Sequence, residues 1–131
     1  MEEEFRAILL TTTPITEVVG ARISWGSASQ GAALPYIVLH VIDDAEEHTY
    51  KGPDGLSQGR VQVDCYGATY GQAKTLSRHV RAVLDGYRGG QFSGIFHDLT
   101  RDGREGGSNE PERPFTVQLD FLTKWRQSND D

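Results

Sequence analysis

The chain has 131 residues with 19 acidic and 13 basic side chains, which give a formal net charge of -6 at pH 7. A chain of this length is expected to form one domain, residues 1–131, and to bury roughly two-thirds of the surface that its unfolded form exposes. The single cysteine excludes an internal disulfide and a cysteine-cluster metal site. The lack of a net basic charge argues against nucleic-acid binding, and no apolar run approaches the roughly 20 residues of a membrane span.

Two helical segments are predicted before the first strand. Residues 3–11 place their apolar side chains on one side and begin with glutamates, which suit the positive end of a helix dipole. Pro14 fits the first position of a short second helix, and Gly20 is expected to end it. The chain is therefore expected to enter its sheet from a helical N-terminal segment.

Four segments outside the middle of the chain are predicted to be strands. Residues 22–25 form a short candidate, and the almost continuous apolar run 35–43 suggests a strand that is buried on both faces or covered by helices on one. Residues 91–100 follow a helix stop, and residues 114–125 alternate between apolar and polar side chains over their whole length. We expect the last two segments to pair as a hairpin.

The central unit, residues 60–87, has the clearest pattern. In its first part, apolar and polar residues alternate as they do in a half-buried strand. Thr69 and Gln72 then have the spacing of a capping box at a helix start. The helix is expected to end at the stop signal that begins with Tyr87. Its apolar side holds Ala73, Leu76, Val80, Val83, Leu84 and Tyr87, and its opposite side holds Lys74, Arg78, Arg81, Asp85 and Arg88. These elements predict an α+β domain with a mainly antiparallel sheet of four to five strands, on one face of which this helix and the N-terminal helix pack.

Two polar connections are expected to project from the domain. The first, residues 45–57, contains the turn formers Gly52, Pro53 and Asp54. The second, residues 102–112, has no apolar side chain and includes Gly103, Arg104, Glu105, Gly106 and Gly107. A connection of this composition is usually either mobile or ordered only by a partner.

Charge is segregated within the body of the chain. Asp43, Asp44, Glu46 and Glu47 form an acidic turn, while Lys74, Arg78 and Arg81 form a basic stripe along the central helix. Two interpretations are open. The patches are either ordinary solvated surface, as most exposed charges are, or two halves of an interface.

No pattern of residues predicts a catalytic, cofactor or metal site. The four histidines are His40, His48, His79 and His97, and none has a neighbour at metal-ligand spacing. Asp64 and Asp120 face away from the apolar sides of their strands without an accompanying nucleophile, so we expect them to be structural or interface residues. Cys65 is expected to pack in the core. We therefore predict a protein that is not an enzyme and that binds no cofactor and no metal.

The order and spacing of these segments resemble those of a family of small phage proteins, the tail completion or tail terminator proteins of siphophages and gene transfer agents. The segments that carry the resemblance are PYIVLHVI, RVQVDCYG, YGQAKTLSRHVRAVLDGY, LTRDGRE and RPFTVQLDFLTKW, and they span nearly the whole chain. The resemblance implies an antiparallel sheet with helices on one face, in a domain that closes into a homohexameric ring. Such a ring caps the finished tail tube and offers the head connector a docking surface.

The resemblance also implies partners and a location. The partners are other copies of the chain, the major tail tube protein and the head–tail connector or stopper protein, while DNA only passes through the lumen without sequence-specific binding and no membrane is involved. The location is the head–tail junction of a virion or phage-like particle assembled in the bacterial host cytoplasm. A head-side connector, stopper or adaptor protein of the same joint is the alternative, and a small-ligand binding module or an enzyme is a more remote one.

These expectations give a residue-level hypothesis. The stripe of Lys74, Arg78 and Arg81 contacts Asp43, Asp44, Glu46 and Glu47 of a neighbouring copy, and the two polar connections touch the tube or the connector. An enzyme would instead need His40, His97, Asp64 and Asp120 to meet within hydrogen-bonding reach.

Overall fold

The structure, a computed structural model, describes residues 1–28, 31–42, 50–51, 56–104 and 114–126. Its elements are α1 (Glu2–Leu10), α2 (Thr13–Val19), β1 (Ile23–Trp25), β2 (Tyr36–Val41), β3 (Tyr50–Lys51), β4 (Leu56–Gly67), α3 (Tyr70–Leu84), β5 (Tyr87–Gly89), β6 (Phe92–Arg104) and β7 (Phe115–Arg126). The predicted α+β class and the two N-terminal helices are confirmed. None of the helices in these ranges is long and apolar enough to cross a membrane.

All the strands belong to one sheet. Its order is β1-β2-β4-β7-β6-β5, and the short β3 also pairs with β4. Only β1 and β2 run parallel; the other pairs are antiparallel, including the predicted β6–β7 hairpin. The central strands β4 and β7 pair along their full lengths, from Leu56 opposite Arg126 to Gly67 opposite Phe115. The candidate surfaces lie over the two faces and at the two ends of this ladder.

The three helices pack on one face of the sheet, and their shared core decides which side of each strand points inward. From the helices the core takes Phe5, Ile8, Leu9, Ile15, Val19, Ala73, Leu76, Val80 and Leu84. From the strands it takes Ile23, Ile37, Leu39, Val61, Val63, Cys65, Phe92, Ile95, Val117, Leu119, Phe121 and Trp125. The helical patterns predicted for α1 and α3 and the alternation predicted for β4 and β7 are confirmed, because the apolar sides of these four elements are buried in this core.

The start of α3 is built as its sequence predicts. The Thr69 hydroxyl accepts a hydrogen bond from the Gln72 backbone N–H at 3.1 Å. The Gln72 side chain accepts one from the Ala68 N–H at 2.8 Å, one residue earlier than the usual capping-box partner. The first bond satisfies a backbone donor of the first helical turn, and the second satisfies the donor of the residue before the N-cap.

Two short strands were not predicted, and one of them corrects the end of α3. The helix ends at Leu84 rather than continuing towards Tyr87, because Gly86 has a φ of +84° and turns the chain back to the sheet. Residues Tyr87–Gly89 then form β5, which pairs with β6. The second unpredicted strand, Tyr50–Lys51, pairs with the start of β4. The described sheet therefore has seven strands where four to five were expected.

The junction between β4 and α3 gives a matched pair of glycine substitutions. A Cβ on Gly67 would lie 2.6 Å from the Ala73 backbone nitrogen, whereas a Cβ on Gly71 would meet nothing within 4 Å. We expect Gly67→Ala to lower the free energy of unfolding by about 1–3 kcal/mol, since backbone must move to relieve the contact. Gly71→Ala is expected to raise it by about 0.5–1 kcal/mol through helix propensity. Urea unfolding of both variants measures the difference, and equal effects would contradict this packing.

Candidate functional site

The predicted basic stripe lies on the outer side of α3, because the opposite side of the helix is buried in the core. Lys74 is directed towards its own chain: its Nζ lies 3.5 Å from Asp102 Oδ1 and 5.9 Å from the centre of the Tyr70 ring. Arg78 is exposed, and the Arg81 Nε reaches no closer than 4.0 Å to Asp85 Oδ2. The accessible part of the stripe is therefore Arg78 and Arg81.

Most of the other predicted contact residues lie outside the described residues. They are Asp43, Asp44, Glu46, Glu47, Gly52, Pro53, Asp54, Glu105, Gly106 and Gly107. Gly103 and Arg104 do have a described backbone, and they belong to β6, where they pair with Thr116 and Phe115. The second polar connection therefore begins later than the sequence predicted, because the β6–β7 ladder continues through Arg104.

The described ends of the strands show where the two polar connections leave the sheet. The first was predicted as residues 45–57, but residues 50–51 belong to β3 and residues 56–57 to β4. Its part between these two strands joins Lys51 to Leu56, beside the end of β4 that pairs with Arg126. The second joins Arg104 to Phe115, beside the opposite end of β4 at Gly67. Because a strand rises about 3.3 Å per residue, the twelve residues of β4 separate the two ends by roughly 36 Å. A polar connection thus leaves the domain at each end of the β4–β7 ladder.

The sheet face that carries no helix, called the helix-free face below, holds a network of charged side chains. Arg60 Nη1 donates to Asp98 Oδ2 at 2.7 Å and lies 3.7 Å from Asp120 Oδ2. Arg101 Nη2 approaches the same Asp120 oxygen at 3.5 Å. The Oδ1 atom of Asp120 accepts no hydrogen bond within the described part of the chain. The two arginines are therefore committed to carboxylates of their own domain.

A second polar cluster lies on the same face, one strand further from β6. Asp64 is 3% exposed, accepts a hydrogen bond from Gln62 Nε2 at 2.7 Å and pairs with His40 Nε2 at 3.2 Å. Alternation correctly placed Asp64 and Asp120 away from the core. It did not predict their burial, since the side chains that cover them come from neighbouring strands and could be identified only from the register.

The four residues of the enzyme alternative do not come together as one site. His40 meets Asp64, but the His97 Nε2 atom lies 2.6 Å from Thr100 Oγ1, and Asp120 faces arginines. Among the described residues, no three potential ligands from histidine, cysteine, aspartate and glutamate cluster closely enough to hold a metal ion.

The helix-free face also carries an apolar patch that the sequence analysis missed. It consists of Ile42, Phe96, Leu99 and Leu122, which are 39–44% exposed. Phe96 pairs directly with Leu122, and Leu99 pairs with Asp120 on the same face. Leu122 occupies an outward position of a strand whose other outward residues are polar, and that exception is the signal in the sequence that could have indicated the patch.

Cys65 provides a pH-dependent test of the buried face of β4. Burial raises the pKa of its thiol, and the neighbouring Asp64 carboxylate acts in the same direction. Because the folded pKa lies above the unfolded value of about 8.5, the stabilisation is complete below that pH and is lost as the pH rises above it. Between about pH 9 and 11, we expect the free energy of unfolding to fall by about 1.4 kcal/mol per pH unit more steeply than in Cys65→Ala. Parallel urea titrations measure both slopes, and identical slopes would contradict a buried thiol.

Comparisons with known proteins agree with this architecture. Residues 3–124 match the model of a family described as tail completion protein gp17. Among solved structures, the fold is similar to a chain in the virion of a native gene transfer agent (GTA) particle, with a TM-score of 0.65 and 15% sequence identity over 94% of this chain and 92% of that one. A search of curated proteins found no match. Since the family model spans most of the sequence, the chain belongs to the tail completion protein gp17 family and is a structural protein of a phage-type tail.

Proposed function

We propose that the protein forms a homohexameric ring that terminates the tail tube and joins the tail to the head-side connector. The observation that carries the joining role is the position of the two polar connections at opposite ends of the β4–β7 ladder. A subunit that must touch a tube on one side and a connector on the other needs contact segments at both ends. Family membership supports the tail role independently.

A ring is the assembly that these surfaces favour. The exposed arginines of α3 and the helix-free face lie on opposite sides of each domain, so neighbouring copies can meet through different surfaces. Such heterologous contacts close into a ring when the rotation between copies permits. A ring of six copies is what the resemblance to tail terminator proteins implies.

The charge of the chain suits a channel that DNA passes through. Each copy has a formal charge of -6, and Arg60 and Arg101 are paired with carboxylates. Strong DNA binding needs many free basic side chains that displace counterions from phosphates. We therefore propose that DNA slides through the lumen and that the protein acts without catalysis or a cofactor at the head–tail junction, after assembly in the host cytoplasm.

A head-side connector or stopper protein of the same joint is the alternative. The two proposals differ in the particle that the protein remains with when joining is blocked. Cells that produce particles without this chain should accumulate filled heads and uncapped tails, and added wild-type protein should bind to the tails. Binding to the heads alone would favour the alternative.

Shortening either polar connection is expected to block one side of the joint while the domain stays folded. Replacing residues 105–110 or residues 52–55 with a short glycine–serine linker should lower the yield of complete particles at least about tenfold, which corresponds to about 1.4 kcal/mol of lost contact free energy. Electron microscopy should show uncapped tails with one variant and capped, unjoined tails with the other. Normal yields with both variants, at an unchanged unfolding midpoint, would contradict the proposed role of the connections.

A further inference from the structure

Four of the five exposed large apolar side chains in the described part of the chain lie on the helix-free face. Leu122 lies at the centre of this patch, opposite Arg60 on β4 and Phe96 on β6. Ile42 extends the row beyond Arg60, whose carbonyl accepts a hydrogen bond from the Ile42 N–H. The Phe96 ring lies over Gly94, where an added Cβ would come within 2.6 Å of it. The apolar side chains therefore lie on β6, on β7 and directly after β2, with the carboxylate-paired Arg60 of β4 between Leu122 and Ile42.

The surroundings of the patch limit what can cover it. Exposed apolar side chains that are grouped on one face are typical of a protein–protein contact. Arg60 and Arg101 are engaged by Asp98 and Asp120, so among the described residues the centre of this face offers no free cation to a phosphate backbone or an acidic peptide. The occupant must therefore cover the apolar side chains together with the already paired Arg60 between them, and place its own charges outside this row.

We propose that the outer side of α3 from a second copy of the chain docks on this patch. That side presents the small exposed residues Thr75 and Ala82 together with Arg78 and Arg81. Small residues let a helix approach a sheet closely, and arginine side chains cover apolar surface with their methylene stems while the guanidinium stays at the edge.

Charge complementarity supports a second copy as the occupant. In the sequence, Ile42 at the margin of the patch is followed directly by Asp43 and Asp44, and Glu46 and Glu47 come next. The sequence therefore places four acidic residues after the patch residue Ile42, and the docked helix brings Arg78 and Arg81. Opposite charges at the margin of a contact fix its register more than they strengthen it.

This contact specifies the surfaces through which copies meet in the proposed ring. Only the closure of the ring rests on the proposed function. The two surfaces are opposite faces of the same domain, so every copy uses its α3 towards one neighbour and its helix-free face towards the other. The contact is heterologous, and because each contact joins one α3 to one helix-free face, a substitution on either surface weakens every contact in the assembly.

Cysteine cross-linking tests the contact. Because the native Cys65 is buried, a short bismaleimide should react only with introduced thiols. We expect a cross-linked dimer when full-length Ala82→Cys and Leu122→Cys proteins are mixed at high concentration, and loss of that product when either is incubated alone. The control pair, Leu122→Cys with the exposed α2 residue changed in Glu17→Cys, should give none.

The cross-linking results distinguish a failure of this contact from a failure of the closed ring. Dimers in Leu122→Cys alone would show a face-to-face contact and overturn the proposal, as would the absence of any product in the mixture. In the double variant Ala82→Cys/Leu122→Cys, a ladder that stops at six copies supports both the contact and the hexamer. A ladder that continues past six retains the contact and contradicts the closed ring.

Discussion

Replacing Phe121 with alanine is expected to lower the free energy of unfolding by about 3–5 kcal/mol, whereas the same change at Leu122 should stay within about 1 kcal/mol. Phe121 is fully buried and packs its ring edge-on against His97, with ring centres 5.7 Å apart. Leu122, the next residue of the same strand, is 40% exposed on the helix-free face. Truncation of Phe121 leaves a cavity among helices and strands, and truncation of Leu122 leaves only a shallower surface.

Urea denaturation monitored by circular dichroism measures both values with one protocol. The slope of free energy against urea should be similar for the two variants, because both unfold the same domain. Comparable losses for Phe121→Ala and Leu122→Ala would contradict the register of β7, since that result requires both faces of the strand to be buried equally.

Replacing Leu122 with glutamate is expected to abolish assembly while the domain stays folded. The substitution places a third carboxylate beside Arg60, which Asp98 and Asp120 already engage, at the centre of the proposed contact. Burying a charge that is not fully compensated costs several kcal/mol. We expect the dissociation constant of the contact to rise at least about a hundredfold, which corresponds to about 2.7 kcal/mol. Analytical ultracentrifugation across a concentration series measures this change.

Gln58→Glu is the matched control for that variant. Gln58 is exposed on β4, pairs with Lys124 of β7, and lies outside the apolar patch, so it adds the same charge at the margin of the face. The control should assemble as the wild type does. Normal assembly of Leu122→Glu would contradict a contact on the patch, and equal loss in both variants would attribute the effect to charge alone.

The sequence predicted those parts of the fold in which one side of an element is buried and the other is not. In β7, Val117, Leu119 and Phe121 recur at every second position, and each is in the core. In α3, apolar residues recur at helical spacing, and Thr69 and Gln72 mark its start. Both patterns arise locally, because an element with one buried side must repeat with its own period.

The parts that could not be predicted depend on pairing between distant segments. The end of α3 was placed too late because Tyr87 continues the helical pattern, whereas the positive φ of Gly86 and the pairing of β5 with β6 decide the boundary. The apolar patch appears only when the register places Phe96 beside Leu122.

The partners of the basic stripe on α3 also could not be predicted from the sequence. Sequence spacing placed Lys74, Arg78 and Arg81 on one side of a helix, and the structure confirms that placement. It could not indicate that Asp102, at the end of a strand 28 residues later, lies 3.5 Å from the Lys74 Nζ atom. Of the three residues of the stripe, Arg78 and Arg81 are therefore the two that a neighbouring copy can reach.

Cryo-electron microscopy of intact particles tests the tail-terminator proposal most directly. We expect six copies of the 14.5 kDa chain in a closed ring between the tail tube and the head-side connector, with one polar connection of each copy directed towards each partner. Copies found elsewhere on the particle, or an open arrangement at the junction, would contradict the proposal.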